Sequence, residues 1–171
     1  KDANINVAIT ASTGIAATHI KGSTIHSWSG IGIKQLLTGK DLRNLKKKKY
    51  LREQFDKVKV LIIDEISMVR ADVFEGIEKT LRLSGPKPDQ PFGGVQICVI
   101  GDLYQLPPIV SRDEAGFFAQ YYDSPFFYST PAYQAAEFET IELNKVYRQA
   151  NMQFITALNA LRVGESTHDT L

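Results

Sequence analysis

The sequence of 171 residues predicts a doubly wound α/β fold, in which helices flank a mostly parallel β-sheet. Three short runs, at 7–10, 58–63 and 96–100, are rich in β-branched residues and almost continuously apolar. Such runs are typical of strands that are covered on both faces in a parallel sheet. A fourth run, TIEL at 140–143, is shorter and alternates in polarity. Helical patterns lie between these strands, and this alternation of strands and helices indicates an α/β domain.

Three segments carry helical patterns. The first, STGIAATHI, opens on Ser12 and Thr13, and both residue types are good helix N-caps. The second, ADVFEGIEKTLRL, repeats apolar residues at helical spacing over 71–83. The third, MQFITALNALRVG, does the same and reaches Gly164, a residue type that commonly ends helices. We therefore predict one helix in each segment.

Three further segments are less regular. The segment 84–94 holds three of the seven prolines, which predicts a loop. The segment 116–133 is unusually aromatic, and we expect a packed excursion beneath the sheet; the alternative is a platform on which bases stack. The lysine run at 46–49 predicts a solvated helix face.

Composition is that of an ordinary globular protein, with 43% hydrophobic and 23% charged residues. The net charge is +1, so any basic surface for nucleic acid must be local. Cys98, the single cysteine, lies in an apolar run and is expected to be a buried thiol. No apolar run approaches the roughly 20 residues that span a bilayer, so we expect a soluble, intracellular chain with no membrane partner. The chain starts on Lys1 and stops soon after a helical segment, and we interpret it as a piece of a longer protein.

Two adjacent carboxylates, Asp64 and Glu65, follow the second apolar run directly. In open α/β sheets, ligands bind beyond the carboxyl ends of the strands. An Asp at this position can hold Mg²⁺ through its water shell, and the next carboxylate can take a proton from an attacking water. The alternatives are a solvated acidic pair and a nuclease-type site, which would need a third ligand that the sequence does not identify.

A second polar group, in the stretch VIGDLYQLPP, follows the third apolar run. Asp102 and Gln105 come after a strand that should end at the same edge of the sheet. A glutamine amide can donate to a γ-phosphate oxygen, and Pro107 and Pro108 restrict the backbone that follows it. We therefore expect Gln105 to report whether a phosphate is present.

Two other groups of residues complete the candidate site. Arg148, in LNKVYRQ, could stabilise charge on a transferring phosphate. Ser12 and Thr13 could meet a phosphate of a nucleotide or of a nucleic-acid backbone. His26 and Trp28 offer an imidazole and a stacking face, although each is as often a satisfied polar group or a core aromatic.

A phosphate-binding loop of the form G-x-x-x-x-G-K-[ST] is absent from the sequence. The only Gly-Lys pair is Gly39-Lys40, which Asp41 follows, and Lys34 stands where the first glycine of the motif should be. The phosphate loop is therefore not in this chain.

Taken together, the motifs TASTGIAATHIKGSTIHSWSGIG, LIIDEISM, GDLYQLPP and ELNKVYRQ, in this order, resemble those of the PIF-type DNA helicases of superfamily one, relatives of RecD and Dda. The resemblance covers nearly the whole chain. It implies a RecA-like P-loop NTPase domain: residues 1–171 would be a partial first motor domain, without the upstream phosphate loop and the downstream second motor domain. The full protein would translocate five-prime to three-prime on single-stranded DNA, driven by ATP, and would unwind duplexes in genome maintenance.

The resemblance also implies roles for single residues. Asp64 would bind Mg²⁺ through water, Glu65 would activate the attacking water, and Gln105 and Arg148 would contact the γ-phosphate of ATP. Another set would line single-stranded DNA: Ser12, Thr13 and His26. The implied partners are single-stranded DNA and duplex junctions, and the protein is expected to be a monomer. Two alternatives remain: a P-loop ATPase with a substrate other than DNA, and a non-catalytic nucleic-acid-binding module.

Overall fold

A four-stranded, all-parallel sheet organises the structure, a computed structural model that describes residues 5–32, 34, 36–147, 149 and 151–165. Its strands are β1 (Val7–Ala11), β2 (Ser23–Thr24), β3 (Val60–Asp64) and β4 (Gln96–Val99), in the spatial order β2-β1-β3-β4. The predicted α/β class is therefore confirmed. The two-residue β2 was not predicted, because it is too short to show a periodic pattern.

Eight helices are described: α1 (Gly14–His19), α2 (Ile25–Trp28), α3 (Gly39–Lys46), α4 (Lys49–Lys57), α5 (Ala71–Ser84), α6 (Arg112–Phe118), α7 (Pro131–Ala135) and α8 (Met152–Arg162). Short 3₁₀ turns occur at Ile66–Met68, Pro91–Gly94 and Phe127–Ser129. The predicted helices α1, α5 and α8 are confirmed. The sequence analysis missed most of the others because they are short and are set by local caps, such as the Thr38–Asp41 capping box of α3.

Strand register brings the carboxyl ends of β1, β3 and β4 to one edge of the sheet. Ala11 of β1 lies opposite Asp64, the last residue of β3, and Ile63 lies opposite Val99, the last residue of β4. The carboxyl ends of three parallel strands therefore meet side by side, with β3 in the middle. This is the edge at which open α/β sheets bind ligands.

The hydrophobic core lies between one face of the sheet and the long helix α5. Leu61 and Ile63 of β3 are fully buried, as are Phe74, Ile77 and Leu81 on the inner face of α5. Each such side chain contributes roughly 1.5–3 kcal/mol by leaving water. This packing holds α5, and the turn that precedes it, against the strand that carries Asp64.

The opposite face of the sheet is exposed, which corrects two expectations. Val7 and Ile9 of β1 are 43% and 44% exposed, and Cys98 of β4 is exposed rather than buried. Successive strand residues point to opposite faces of the sheet. Because the described helices cover only one face, every second apolar residue of these strands is less exposed than the residues beside it. Within the described residues, cover on both faces is therefore not found.

The chain divides into two compact units, and the sheet belongs to the first, which ends at Phe138. The second begins at Glu139 and contains α8, whose side chains are all at least partly exposed. Asn151 caps α8 by accepting a hydrogen bond from the Phe154 N–H (3.1 Å). The predicted strand at 140–143 is wrong, because these residues have no regular secondary structure.

The irregular segments behave largely as predicted. Residues 85–90 form a loop before the 3₁₀ turn Pro91–Gly94. The lysine run is largely exposed, but it spans the junction between α3 and α4 rather than one helix face. In the aromatic segment, Phe118 and Phe127 are buried whereas Phe117 is 50% exposed, so the expected packing is only partial.

None of the helices in the described part of the chain is long and apolar enough to cross a membrane.

Candidate active site

The acidic pair lies where β3 leaves the sheet. Asp64 is the last residue of β3, and one of its carboxylate oxygens, Oδ1, accepts a hydrogen bond from the Glu65 N–H (2.9 Å). The Asp64 side chain is therefore held by its own backbone, and the second oxygen remains available to water or a cation. Both acidic residues are partly exposed, so a ligand at this edge can reach them.

Glu65 has a left-handed backbone, with φ 54° and ψ 45°. An L-residue other than Asn or Asp seldom adopts this conformation, because its Cβ approaches the following carbonyl oxygen. This left-handed residue ends the extended backbone of β3 and is followed directly by the 3₁₀ turn Ile66–Met68. Strain of this kind is concentrated at functional sites.

A second segment, residues 101–110, lies next to this turn and is called here the Gln105 loop. Its first residue, Gly101, approaches the turn so closely that an added Cβ would lie 2.9 Å from Ile66 Cγ2 and 3.0 Å from the Ile66 nitrogen. The Ile66 N–H also donates to the Ile100 carbonyl (2.9 Å). A larger residue at position 101 would force Ile66 to shift, so the turn after Glu65 and the start of the Gln105 loop are packed tightly together.

Within the loop, Asp102 organises the backbone that carries Gln105. Its Oδ1 accepts from the Tyr104 N–H (3.0 Å), and its carbonyl accepts from the Gln105 N–H (3.0 Å). The Gln105 amide nitrogen donates to Asp102 Oδ2 (3.4 Å), while the Gln105 side chain is exposed and Pro108 is buried. The structure thus places the start of the Gln105 loop at the edge that carries Asp64 and Glu65, and the Asp102 turn holds the Gln105 backbone.

Ser12 and Thr13 lie on the other side of the acidic pair. The Ser12 N–H donates to the Asp64 carbonyl (3.2 Å), which places Ser12 directly beside the carboxyl end of β3. The Thr13 hydroxyl accepts from the Ala16 N–H (3.2 Å) and caps α1, as predicted from the sequence. Because that hydroxyl accepts in the cap, its proton is still free to be donated to a ligand.

His26 lies on α2 and is half-buried. Burial lowers the pKa of its imidazole, and the nearby carboxylate of Asp72 opposes this shift. Trp28 packs against Phe55, with ring centroids 5.1 Å apart. Of the two interpretations of Trp28, the structure supports the core aromatic. Arg148 lies outside the described residues, so its predicted place in the site stays a prediction.

The structure also shows a residue that the sequence analysis missed, Arg70. It follows Glu65 by five positions, its side chain is 13% exposed, and it forms ion pairs with both Asp72 and Glu114. Glu114 is 44 positions away along the chain, so no local pattern could have indicated this pair. Gly101 lies in the motif GDLYQLPP, but its close approach to Ile66 could not be predicted without knowing that β3 and β4 are neighbours in the sheet.

The oxygen ligands at this edge fit a divalent cation that keeps most of its water shell rather than one that is coordinated entirely by protein side chains. Among the residues that the structure describes, no three His, Cys, Asp or Glu side chains cluster as metal ligands would. Mg²⁺ is commonly bound through one or two carboxylates while it keeps several waters and contacts substrate phosphates.

Comparison with known proteins identifies relatives over nearly the whole length. The family model described as PIF1-like helicase matches residues 1–169. An ATP-dependent DNA helicase Pif1 of Psychrobacter is 46% identical over 145 residues, which cover 85% of this chain and 21% of that protein. An ATP-dependent DNA helicase RRM3 of Saccharomyces cerevisiae is 41% identical over 164 residues, or 96% of this chain and 22% of the relative. The chain thus spans about a fifth of the curated relatives it matches.

Solved structures give the same result for the fold. The Pif1 helicase from Bacteroides, crystallised in complex with ADP-AlF3 and ssDNA, superposes with a TM-score of 0.90 at 39% sequence identity. The match covers 99% of this chain and 39% of that one. Pif1 helicase from Candida albicans superposes with a TM-score of 0.79 at 34% identity, over 96% of this chain and 35% of its own. The predicted RecA-like architecture is therefore confirmed.

Proposed function

The chain belongs to the PIF1-like helicase family, and from this premise we propose that it is part of an ATP-dependent DNA helicase motor. One observation carries the proposal: the Asp64–Glu65 turn, with its left-handed Glu65, lies beside the Gln105 loop at the carboxyl edge of a parallel sheet. Open α/β sheets bind ligands at this edge, which supports a role for the acid pair and the Gln105 amide in the hydrolysis of a nucleotide phosphate.

Glu65 is the proposed general base. No hydrogen bond to its carboxylate is found within the described part of the chain, so the group is free to accept a proton from a water molecule. The Asp64 carboxylate accepts a hydrogen bond from the Glu65 N–H, so the two acids differ in their hydrogen bonding and can serve different functions. Proton transfer to a positioned carboxylate contributes roughly 10²–10⁴-fold to a rate.

Asp64 is proposed to hold Mg²⁺ through bound water. Its Oδ1 is engaged by the Glu65 N–H (2.9 Å), which fixes the carboxylate plane and leaves Oδ2 for the water shell. When bound, Mg²⁺ would neutralise part of the charge on the phosphates. The Asp64 carboxylate would hold the ion through that water shell, and the Asp64 backbone carbonyl ties Ser12 to the same edge.

Gln105 and Arg148 are proposed to contact the γ-phosphate. The Asp102 turn holds the Gln105 backbone while the exposed amide can reach a ligand. A guanidinium stabilises the spread charge of a transferring phosphoryl group. The role of Arg148 is supported by the resemblance of ELNKVYRQ to the family motif.

Single-stranded DNA is the proposed substrate, because the Bacteroides relative was crystallised with ssDNA and another Pif1 structure concerns unwinding at forked dsDNA. Ser12 and Thr13 would offer hydroxyl donors to phosphates, so their contacts should not depend on base identity. His26 would lie along the same strand. We further propose five-prime to three-prime translocation, action at duplex junctions, and an intracellular role in genome maintenance as a monomer.

The chain corresponds, in this proposal, to part of the first motor domain. The phosphate loop and the second motor domain would belong to other segments of the full-length protein. ATP hydrolysis would then be a property of that protein, and residues 1–171 alone should bind ATP weakly.

Substituting Glu65 by Gln in the full-length protein tests the proposal. The amide keeps the size of the side chain but removes the base, so hydrolysis should fall roughly 10²–10⁴-fold while ATP still binds. Steady-state ATPase rates and equilibrium binding of a fluorescent ATP analogue measure the two effects separately. A variant that hydrolyses ATP at the parent rate would show that Glu65 is not the base. An ATPase rate that single-stranded DNA does not change would favour a substrate other than DNA.

A further inference from the structure

A buried ion-pair network follows the acidic turn, and the proposed mechanism does not use it. Arg70 binds Asp72 through two parallel hydrogen bonds, Nε to Oδ1 and Nη2 to Oδ2, each 3.0 Å long. Its third nitrogen, Nη1, lies 3.4 Å from both carboxylate oxygens of Glu114, and the guanidinium stands 5.2 Å above the Phe118 ring. The side chain of Asp72 is fully buried. Buried charges are costly to desolvate, so such a network is weak evidence for stability and suggests a positional role.

Glu114 links this network to the far end of the Gln105 loop. Its Oε2 accepts from the Ser111 hydroxyl (2.5 Å) and from the Ser111 N–H (3.2 Å), forming the capping box that starts α6. The hydrogen bonds from Ser111 are the main reason that the pKa of Glu114 is lowered, and the Arg70 charge lowers it further. Glu114 therefore remains a carboxylate that caps the helix and binds Arg70 at the same time.

Both ends of the Gln105 loop are consequently fixed by one short stretch of chain. At the first end, Gly101 lies against Ile66, directly after Glu65. At the second end, Ser111 is held through Glu114 to Arg70, which lies four positions after Ile66. The backbone at 70–71 also pairs with 125–126, where α6 and the aromatic segment return to the core.

We propose that Arg70 is a positioning residue for ATP hydrolysis, which sets the place of Gln105 relative to Glu65 by holding the start of α6. This inference rests on the proposed function, because it assigns Gln105 a part in the reaction. Lysine cannot replace arginine here, since a single ammonium group cannot make the paired bonds to Asp72 and reach Glu114 as well. The charge next to Asp72 would be kept, but the link to the loop would be lost.

The test compares Arg70→Lys with Arg82→Lys in the full-length protein. Arg82 pairs with Glu78 (2.6 Å) near the other end of α5, so its replacement controls for the loss of an ordinary ion pair on the same helix. Arg70→Lys should lower kcat about tenfold and leave KM for ATP within about twofold, because displacement of a catalytic group slows the reaction more than it weakens binding. Arg82→Lys should change neither quantity. If Arg70→Lys does not fold, Glu114→Gln, which leaves the Arg70–Asp72 pair in place, should show the same loss of kcat.

A double-mutant cycle separates positioning from a general structural effect. If Arg70 acts through Gln105, adding Arg70→Lys to Gln105→Ala should lower kcat no further. An equal loss in both backgrounds would overturn the proposal. Hydrogen exchange supplies a readout that does not need ATPase activity: the Gln105 amide, bonded to the Asp102 carbonyl, should exchange faster in Arg70→Lys than in the parent and the Arg82→Lys control. Absence of ATPase activity in the parent would refute the proposed function, and unchanged exchange of that amide would refute the positioning role.

Discussion

The left-handed backbone of Glu65 leads to a prediction about stability that is opposite to the usual rule. Glu65→Gly and Glu65→Ala both remove the carboxylate, so the comparison isolates the backbone: how well each residue tolerates φ 54° and how much freedom it gives the unfolded chain. In most positions, alanine is the more stabilising of the two. At this position we expect the glycine variant to be more stable, because glycine has no Cβ to meet the following carbonyl.

The magnitude follows from two opposing terms. A left-handed conformation costs an L-residue roughly 1–2 kcal/mol, which Glu65→Gly recovers and Glu65→Ala does not. Glycine also raises the entropy of the unfolded chain, which costs about 0.4–1 kcal/mol relative to alanine. The free energy of unfolding of the glycine variant should therefore exceed that of the alanine variant by about 0.8 kcal/mol, within a range of about 0–1.6 kcal/mol.

Urea unfolding of residues 1–171, followed by far-UV circular dichroism, measures this difference. With a slope of about 2 kcal/mol per molar urea, the two midpoints should differ by roughly 0.4 M. The same pair of substitutions at Glu53, an exposed position inside α4, is the matched control. There alanine should be the more stable by up to about 1 kcal/mol, since glycine weakens a helix interior.

An alanine variant at position 65 that is as stable as the glycine variant would refute the reasoning, because it would mean that the turn is not strained. In the full-length protein both variants should have lost ATP hydrolysis. The Glu65→Gly variant would then be more stable than the Glu65→Ala variant and equally inactive. This is the result expected if the strained backbone at position 65 is kept for the function of the Glu65 carboxylate.

Three further predictions concern other parts of the site. Gly101→Ala should destabilise the chain by about 1–3 kcal/mol in urea unfolding, because its methyl carbon would lie 2.9 Å from a side-chain carbon of the turn after β3; Gly116→Ala, with no atom within 4 Å, should be neutral or stabilising. Burial lowers the pKa of His26, so between that lowered pKa and the unfolded value of about 6.5 the unfolded chain binds more protons than the folded chain. Stability should therefore rise with pH through that window, and His26→Gln should flatten the rise in urea midpoint. Thr13→Ala should cost about 1 kcal/mol as a lost N-cap, as Asn151→Ala should, but only Thr13→Ala should weaken stimulation of the full-length ATPase by single-stranded DNA.

The elements that the sequence predicts correctly are those that depend on local patterns. Helices α1, α5 and α8 have caps or apolar residues at helical spacing, and these features need no knowledge of the rest of the chain. The three long strands are apolar runs bounded by polar residues, and the polar residues that follow them are the candidate site. The prediction at 140–143 is wrong because four alternating residues also occur in extended, unpaired chain.

Burial on each face could not be predicted, because an apolar run does not indicate how many layers cover it. Cys98 and Ile9 are apolar by sequence, yet both are exposed on the open face of the sheet. Trp28 had two interpretations that its neighbours in sequence could not separate, and contact with Phe55 decides between them.

By itself, then, the sequence determined the α/β class, the order of the motifs, the absence of a phosphate loop and the family resemblance, because each is written in residue types and their spacing. Only the tertiary structure decided how the site is assembled. The strand order places β3 between β1 and β4, and this brings Ser12, the Asp64–Glu65 turn and Gly101 together. The pairing of Arg70 with Glu114 joins residues 44 positions apart. Such contacts depend on which surfaces meet when the core forms. The side-chain periodicity of one segment does not indicate which other segment it will pack against.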